Sequence, residues 1–194
     1  MDFRADRMNT LIVNTFFDCL ETENFSNLTV GKLAESARIN RSTFYRHFED
    51  KYQLRDYVVD DMVSFFISNL EVDFLDIDIC QNSKYTNVLK NSLKKFYTKK
   101  REWSILWNHP SLGRNVFEEM VNAGAEKLEC EILAHENISP VKKELADWYA
   151  KLLINNMLVT IRWWFSHSNL FTAEQITDVM KEHMISGTIP TLKK

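Results

Sequence analysis

The stretch LTVGKLAESARINRSTFYRHFEDKYQL, residues 28–54, decides the reading of this chain. Between Thr29 and Phe48 it holds four cations, Lys32, Arg38, Arg41 and Arg46, against one acid, Glu35. The whole protein carries a formal net charge of -3, so this local surplus of three (four minus one) runs against its own background. Two short apolar patterns flank a few polar residues. Val30, Leu33, Ala34 and Ala37 follow the i, i+3, i+4, i+7 spacing of a helix face, with Thr29 placed to cap its N-terminus. Ile39 falls in a turn, and Asn40 can cap a second short helix centred on Phe44.

Helix, short turn, short helix is the geometry that seats one helix in a DNA major groove. On a helical wheel Ser42 and Arg46 point away from Phe44, flanked by Thr43 and Tyr45, while Arg41, His47 and Phe48 sit nearer the buried side. That outer face offers a guanidinium, two hydroxyls and a phenol, groups that bond base edges and phosphates, and it carries no acid.

The rest of the chain sets the frame. Only 4 Gly and 3 Pro occur in 194 residues, far below the roughly 12% average usage, which predicts long helices and few hairpins: an all-α protein. Hydrophobic residues at 45% and charged residues at 26% are ordinary globular values. The start, MDFRADRMNT, has no apolar leader core, and no run of about 18 apolar residues follows, so a cytoplasmic protein is expected. Three scattered cysteines, Cys19, Cys80 and Cys130, fit reduced thiols better than a disulfide framework or zinc site.

Met8, Leu11, Ile12, Phe16, Cys19 and Leu20 predict an amphipathic first helix. Asp50 and Gln53 form a capping box opening a longer helix through Leu54, Val58, Met62 and Phe66. Residues 71–82 break the period, and Asp73, Asp76 and Asp78 read as a solvated acidic linker rather than a calcium loop. Helices are expected near 84–100, 101–108 and 112–135, interrupted by NHPS at 108–111. Ser139-Pro140 starts another, which meets no Gly or Pro before Phe165 and would run roughly 40 Å. Thr172 and Gln175 box the last helix, whose stripe is Ile176, Val179, Met180, His183 and Met184, with Gly187 as its cap.

The helix from Pro140 carries two apolar rows. One is Val141, Leu145, Trp148, Leu152 and Val159; the other is Tyr149, Leu153, Met157, Ile161 and Phe165. A helix apolar on two sides must be covered on both. It is either the centre of one bundle or a helix shared between its own core and a second subunit.

The marks Thr29, Leu33-Ala34, Ile39, Ser42-Thr43-Phe44-Tyr45, His47-Phe48 and Lys51 closely resemble the helix-turn-helix of the tetracycline-repressor-like (TetR) family of bacterial transcriptional regulators. The match covers about residues 5–60, with a weaker echo in RWWFSHSNLFTAEQITDVM near the end. Many members have Gly where this chain has Arg38, so the turn must tolerate a non-Gly residue. Resemblance implies an all-α homodimer, with a DNA-binding domain at 1–60 and a dimerisation and effector domain at 61–194. It places Tyr45 and His47 at DNA-contacting positions and Lys51 at a phosphate. The expected DNA-binding set is Thr29, Arg41, Ser42, Thr43, Tyr45, Arg46, His47 and Lys51.

Trp107, Phe117, Met120 and Tyr149 are candidate lining for a small hydrophobic effector. Catalysis is not expected: the histidines form no HExxH pair, and no P-loop or GxGxxG occurs, so neither metal nor cofactor is implied. The expected function is a cytoplasmic, dimeric repressor released from a double-stranded DNA operator by a small molecule. The alternative is a helix-turn-helix regulator controlled by a protein partner instead.

Overall fold

The computed structural model describes residues 3–72, 83–183 and 187. Among them the regular structure is all helical. In chain order the α-helices are α1 (Phe3–Thr22), α2 (Val30–Ser36), α3 (Arg41–Tyr45), α4 (Lys51–Asn69), α5 (Ser83–Thr98), α6 (Lys100–Asn108), α7 (Val116–Ala134), α8 (Pro140–Lys143), α9 (Ala146–His167) and α10 (Ala173–His183). Single 3-10 turns lie at Phe25–Asn27 and Pro110–Leu112. Asp73, Asp76, Asp78, Cys80 and Met184 lie outside the described residues, as do the neighbours that would make Gly187 a cap. No helix of the described residues is long and apolar enough to cross a membrane. No group of His, Cys, Asp and Glu among them could hold a metal ion.

The chain forms two compact units: Met1–Met62 with Arg101–Val116, and Val63–Lys100 with Phe117–Lys194. In the first, α1 buries Ile12, Phe16, Phe17 and Leu20, while Leu11 of the expected stripe is 41% exposed. Phe16 meets Phe25 edge-on at 6.1 Å, and Phe44, Phe48, Leu54 and Val58 complete this core with Trp103, Leu106 and Leu112 from the later strip. That strip is tied to α1 by Arg101, whose Nε and Nη2 donate to Glu21 Oε1 at 2.7 Å and Asp18 Oδ1 at 2.6 Å. Half of the expected α4 box forms: Asp50 Oδ1 accepts from the N–H groups of Tyr52 and Gln53, each at 2.8 Å, while Gln53 Oε1 accepts from Glu49 N–H at 2.6 Å, one residue ahead of the Asp50 N–H a reciprocal box would use.

The second unit packs α5 against α10, where Lys90 Nζ and Glu174 Oε1 stand 2.5 Å apart and Lys181 Nζ donates to Thr86 Oγ1 at 2.6 Å. The Lys90 ammonium holds the Glu174 carboxyl down at about 2. Thr172 and Gln175 form a reciprocal box at the start of α10, at 2.9 and 3.3 Å. Lys127 Nζ caps the end of α4 by donating to the carbonyls of Ile67 and Leu70.

One continuous helix from Pro140 is not what forms. Leu145, at φ -101° and ψ 13°, separates α8 from α9, and its N–H reaches only three residues back, to Lys142 O at 3.1 Å. No breaker residue causes this. Pro140–Lys143 buries no side chain, whereas α9 buries Ala146, Tyr149 and Ala150 in its first turns, so packing fixes only the second piece. The 22 residues of α9 span roughly 33 Å.

Where α7 passes α9, a Cβ placed on Gly124 would lie 2.9 Å from Ile154 Cγ2 and 3.0 Å from Phe66 Cε1. Both neighbours are fully buried and cannot swing away. Gly124→Ala gains about 1 kcal/mol of helix propensity but incurs an overpacking cost of about 1–3 kcal/mol. The expected outcome is therefore a lowered urea midpoint, corresponding to a loss on the order of 1 kcal/mol in unfolding free energy; a raised midpoint would show that α7 and α9 separate freely.

Candidate nucleic-acid interface

Thr29, extended at φ -125° and ψ 155°, caps α2: its Oγ1 accepts from Lys32 N–H at 3.2 Å. At the other end the chain closes in a Schellman motif. Ile39 N–H bonds Ala34 O at 2.9 Å, Arg38 N–H bonds Glu35 O at 3.0 Å, and Arg38 takes φ +55°. This left-handed residue reverses the chain within two residues and delivers it directly into α3. Asn40 occupies the N-cap position of α3, yet its side chain makes no cap bond; only its carbonyl serves, accepting from Thr43 N–H at 2.9 Å.

Phe44 is wholly buried and anchors α3, meeting Tyr45 and Phe48 at 5.9 Å each. Ser42, Tyr45 and Arg46 stand exposed on the opposite side, while Thr43 is half-buried. Tyr45 is 55% exposed, which leaves its ring edge and hydroxyl outside the core. Arg46 Nη2 donates to Thr43 Oγ1 at 3.1 Å, so these two residues present one joined polar group.

Arg41, expected nearer the buried side, is exposed. Gly31 explains its course. A Cβ there would lie 2.6 Å from Arg41 Nη2, so the bare glycine lets the guanidinium lie across α2. Sequence reading passed over Gly31 because nothing in a linear pattern signals a contact between the first turns of two helices.

His47 is half-buried, with Nδ1 2.7 Å from Asn9 Oδ1 on α1. Since that amide oxygen can only accept, Nδ1 carries the proton.

Lys51 sits differently from a free phosphate ligand. Its Nζ donates to the carbonyls of Phe25 at 2.9 Å, Ser26 at 3.1 Å and Leu28 at 2.8 Å, and lies 4.8 Å from the Phe25 ring centre. Three ammonium protons meet three carbonyls, closing the corner between α1 and α2. The same corner is gripped from its other side. Phe25 N–H donates to Ser111 Oγ at 2.9 Å, and His109 Nε2 stands 3.2 Å from Glu23 O. Facing a carbonyl, that nitrogen must be the donor, leaving Nδ1 to accept from the Ser111 hydroxyl at 3.3 Å.

The effector candidates are dispersed. Trp107 belongs to the first unit, stacked on Trp103 with centroids 5.7 Å apart. In the second unit Met120 and Tyr149 are buried core and Phe117 is half-buried with Arg162 over its ring. A cleft of about 330 Å³ in that unit is lined instead by Leu89, Leu153, Ile154, Met157, Val159, Val179 and Met180, with Glu71, Asn156, Thr160 and His183 as its polar members.

A capped short helix, a tight turn and a second helix with an outward polar, acid-free face make a helix-turn-helix DNA-binding unit. Residues 12–58 match the bacterial regulatory proteins of the tetR family. The HTH-type transcriptional regulator YxbF of Bacillus subtilis (strain 168) is 21% identical over 168 residues, covering 84% of this chain and 41% of YxbF. The chain thus spans about two-fifths of that relative's length.

Two solved structures share the fold along nearly the whole chain. The first is NalD, the secondary repressor of the MexAB-OprM multidrug efflux pump in Pseudomonas aeruginosa. It superposes with a TM-score of 0.68 at 16% identity, covering 95% of this chain and 96% of that one. The second is the fatty acid degradation regulator FadR from Bacillus halodurans, with a TM-score of 0.58 at 12% identity over 93% and 95%. Residues 12–58 thus carry the DNA-binding region of the tetR-family bacterial regulators, and the chain as a whole shares the fold of NalD and FadR.

If Lys51 acts as a clip, Lys51→Met leaves three carbonyls without their charged donor and lowers stability by about 1–3 kcal/mol in urea. The salt dependence of DNA binding should stay as it is. A variant of unchanged stability whose salt slope falls by about 0.9 per protomer would make Lys51 a phosphate ligand instead.

Proposed function

We propose that this chain is a dimeric repressor, working in the cytoplasm, whose hold on its operator is released by a small apolar effector. The observation that carries the dimer is the outer side of α9 and α10. Trp148, Val159, Trp163 and Val179 are 56, 50, 46 and 57% exposed, while Tyr149, Leu153, Ile161 and Phe165 of α9 are buried. Of the two apolar rows, only one is covered among the described residues. Val179, part of the expected apolar stripe of α10, lies on the uncovered side. A second copy related by two-fold symmetry would cover both helices at once.

The 330 Å³ cleft supports the effector. It falls in the usual size range of small-ligand sites, about 300–1,000 Å³, and mixes an apolar lining with few polar groups. Val159 and Val179 stand both in its wall and on the uncovered face, so a ligand there would bear on how two copies meet. NalD, a secondary repressor of a multidrug efflux pump, has the same fold over nearly its full length, in keeping with this reading.

On DNA, Ser42, Thr43, Tyr45 and Arg46 would face the major groove, with Thr29, Arg41 and His47 at phosphates. Lys51 would hold the corner that carries them. The DNA-binding role falls to residues 1–60, dimerisation and effector binding to 61–194, with the strip 101–116 packing in the first unit.

Native mass spectrometry tests the whole assignment. The wild-type protein should register as two chains, and Val179→Glu as one chain with no tight operator binding. A wild-type monomer at micromolar concentration would contradict the dimer. A second polypeptide in fixed stoichiometry would contradict the effector and favour control by a protein partner.

A further inference from the structure

We propose that Arg38 is a phosphate-contacting residue of the DNA interface, a role that rests on the DNA-binding reading above. Among the described residues it is the sole non-glycine with positive φ, at +55°. An L-residue in that region crowds its own Cβ against the carbonyl, which is why glycine or asparagine usually closes a Schellman motif. A local strain of this kind survives where the side chain serves something. Inside the protein Arg38 serves nothing: its side chain is exposed and makes no hydrogen bond, ion pair or ring contact among the described residues.

The fate of the other cations sharpens the point. Lys32 is neutralised by Glu23 at 2.5 Å, and Lys51 is engaged with three carbonyls. Arg46 is tethered to Thr43, and Arg41 lies across Gly31. Arg38 alone projects unengaged from the turn that joins α2 to α3, the segment that must approach the sugar-phosphate backbone when α3 enters a groove. Its long side chain carries a guanidinium suited to phosphate oxygens. The left-handed backbone aims it outward, where any residue in ordinary helical geometry would have continued α2.

The test compares Arg38→Gly and Arg38→Lys with wild type, measuring thermal unfolding and binding to mixed-sequence double-stranded DNA across a salt series. Arg38→Gly should unfold a few degrees higher, because the strain is relieved. It should also bind more weakly to every sequence, with a log–log salt slope shallower by about 0.9 per protomer. Arg38→Lys should keep the wild-type slope and gain no stability. Arg38→Gly with raised stability and an unchanged slope would overturn the assignment while leaving DNA binding intact. Wild-type protein that binds no duplex at all would overturn both.

Discussion

Two backbone hydrogen bonds, from Ile39 to Ala34 and from Arg38 to Glu35, close the turn on which the DNA-binding unit depends. They stop α2 after seven residues and leave four residues, Ala37 to Asn40, before α3 begins. A helix of five residues has no stability of its own. Its orientation therefore comes from this turn at one end and from the burial of Phe44 and Phe48 at the other. With the inner side fixed by two phenylalanines, the outer side of α3 follows: Ser42, Tyr45 and Arg46 have nowhere to go but outward.

The opposite corner of the same unit shows how charge can be structural within a binding region. The carbonyls at 25, 26 and 28 converge on a single ammonium, and the N–H of Phe25 is taken by Ser111. Residues 108–112 arrive from much later in the chain, so the corner is held by long-range contacts on both sides. A surface that is positive in sequence is accordingly less so in three dimensions. Lys32 and Lys51 are engaged internally, and the cationic character passes to Arg38, Arg41 and Arg46.

Much of this fold is legible from periodicity. The capping signals at Asp50–Gln53 and Thr172–Gln175 are local; the second forms reciprocally as its spacing demands, and in the first Asp50 caps α4 while Gln53 reaches one residue further back, to Glu49. The all-helical class follows from the scarcity of Gly and Pro. What pattern reading misses is set by packing between distant residues. The break at Leu145 has no sequence signal, because it arises where tertiary contacts begin rather than where propensity ends. Gly31 and Gly124 look alike in sequence; only neighbours 10 and 30 residues away distinguish their roles. The aromatic residues singled out as effector lining illustrate the same limit: bulk and type cannot tell a wall of a cleft from the middle of a core.

The central claim is that the outer face of α3 reads base sequence. It is tested most directly by selecting bound fragments from genomic DNA with the wild-type protein and then measuring Tyr45→Ala, Arg46→Ala on the enriched site and on a scrambled duplex. Both substitutions fall at exposed positions, so the fold should persist. The account predicts that the double variant loses preference for the enriched site, by roughly 1–3 kcal/mol for each bidentate contact removed, while its affinity for scrambled DNA falls far less. Full affinity and preference in the double variant would contradict it.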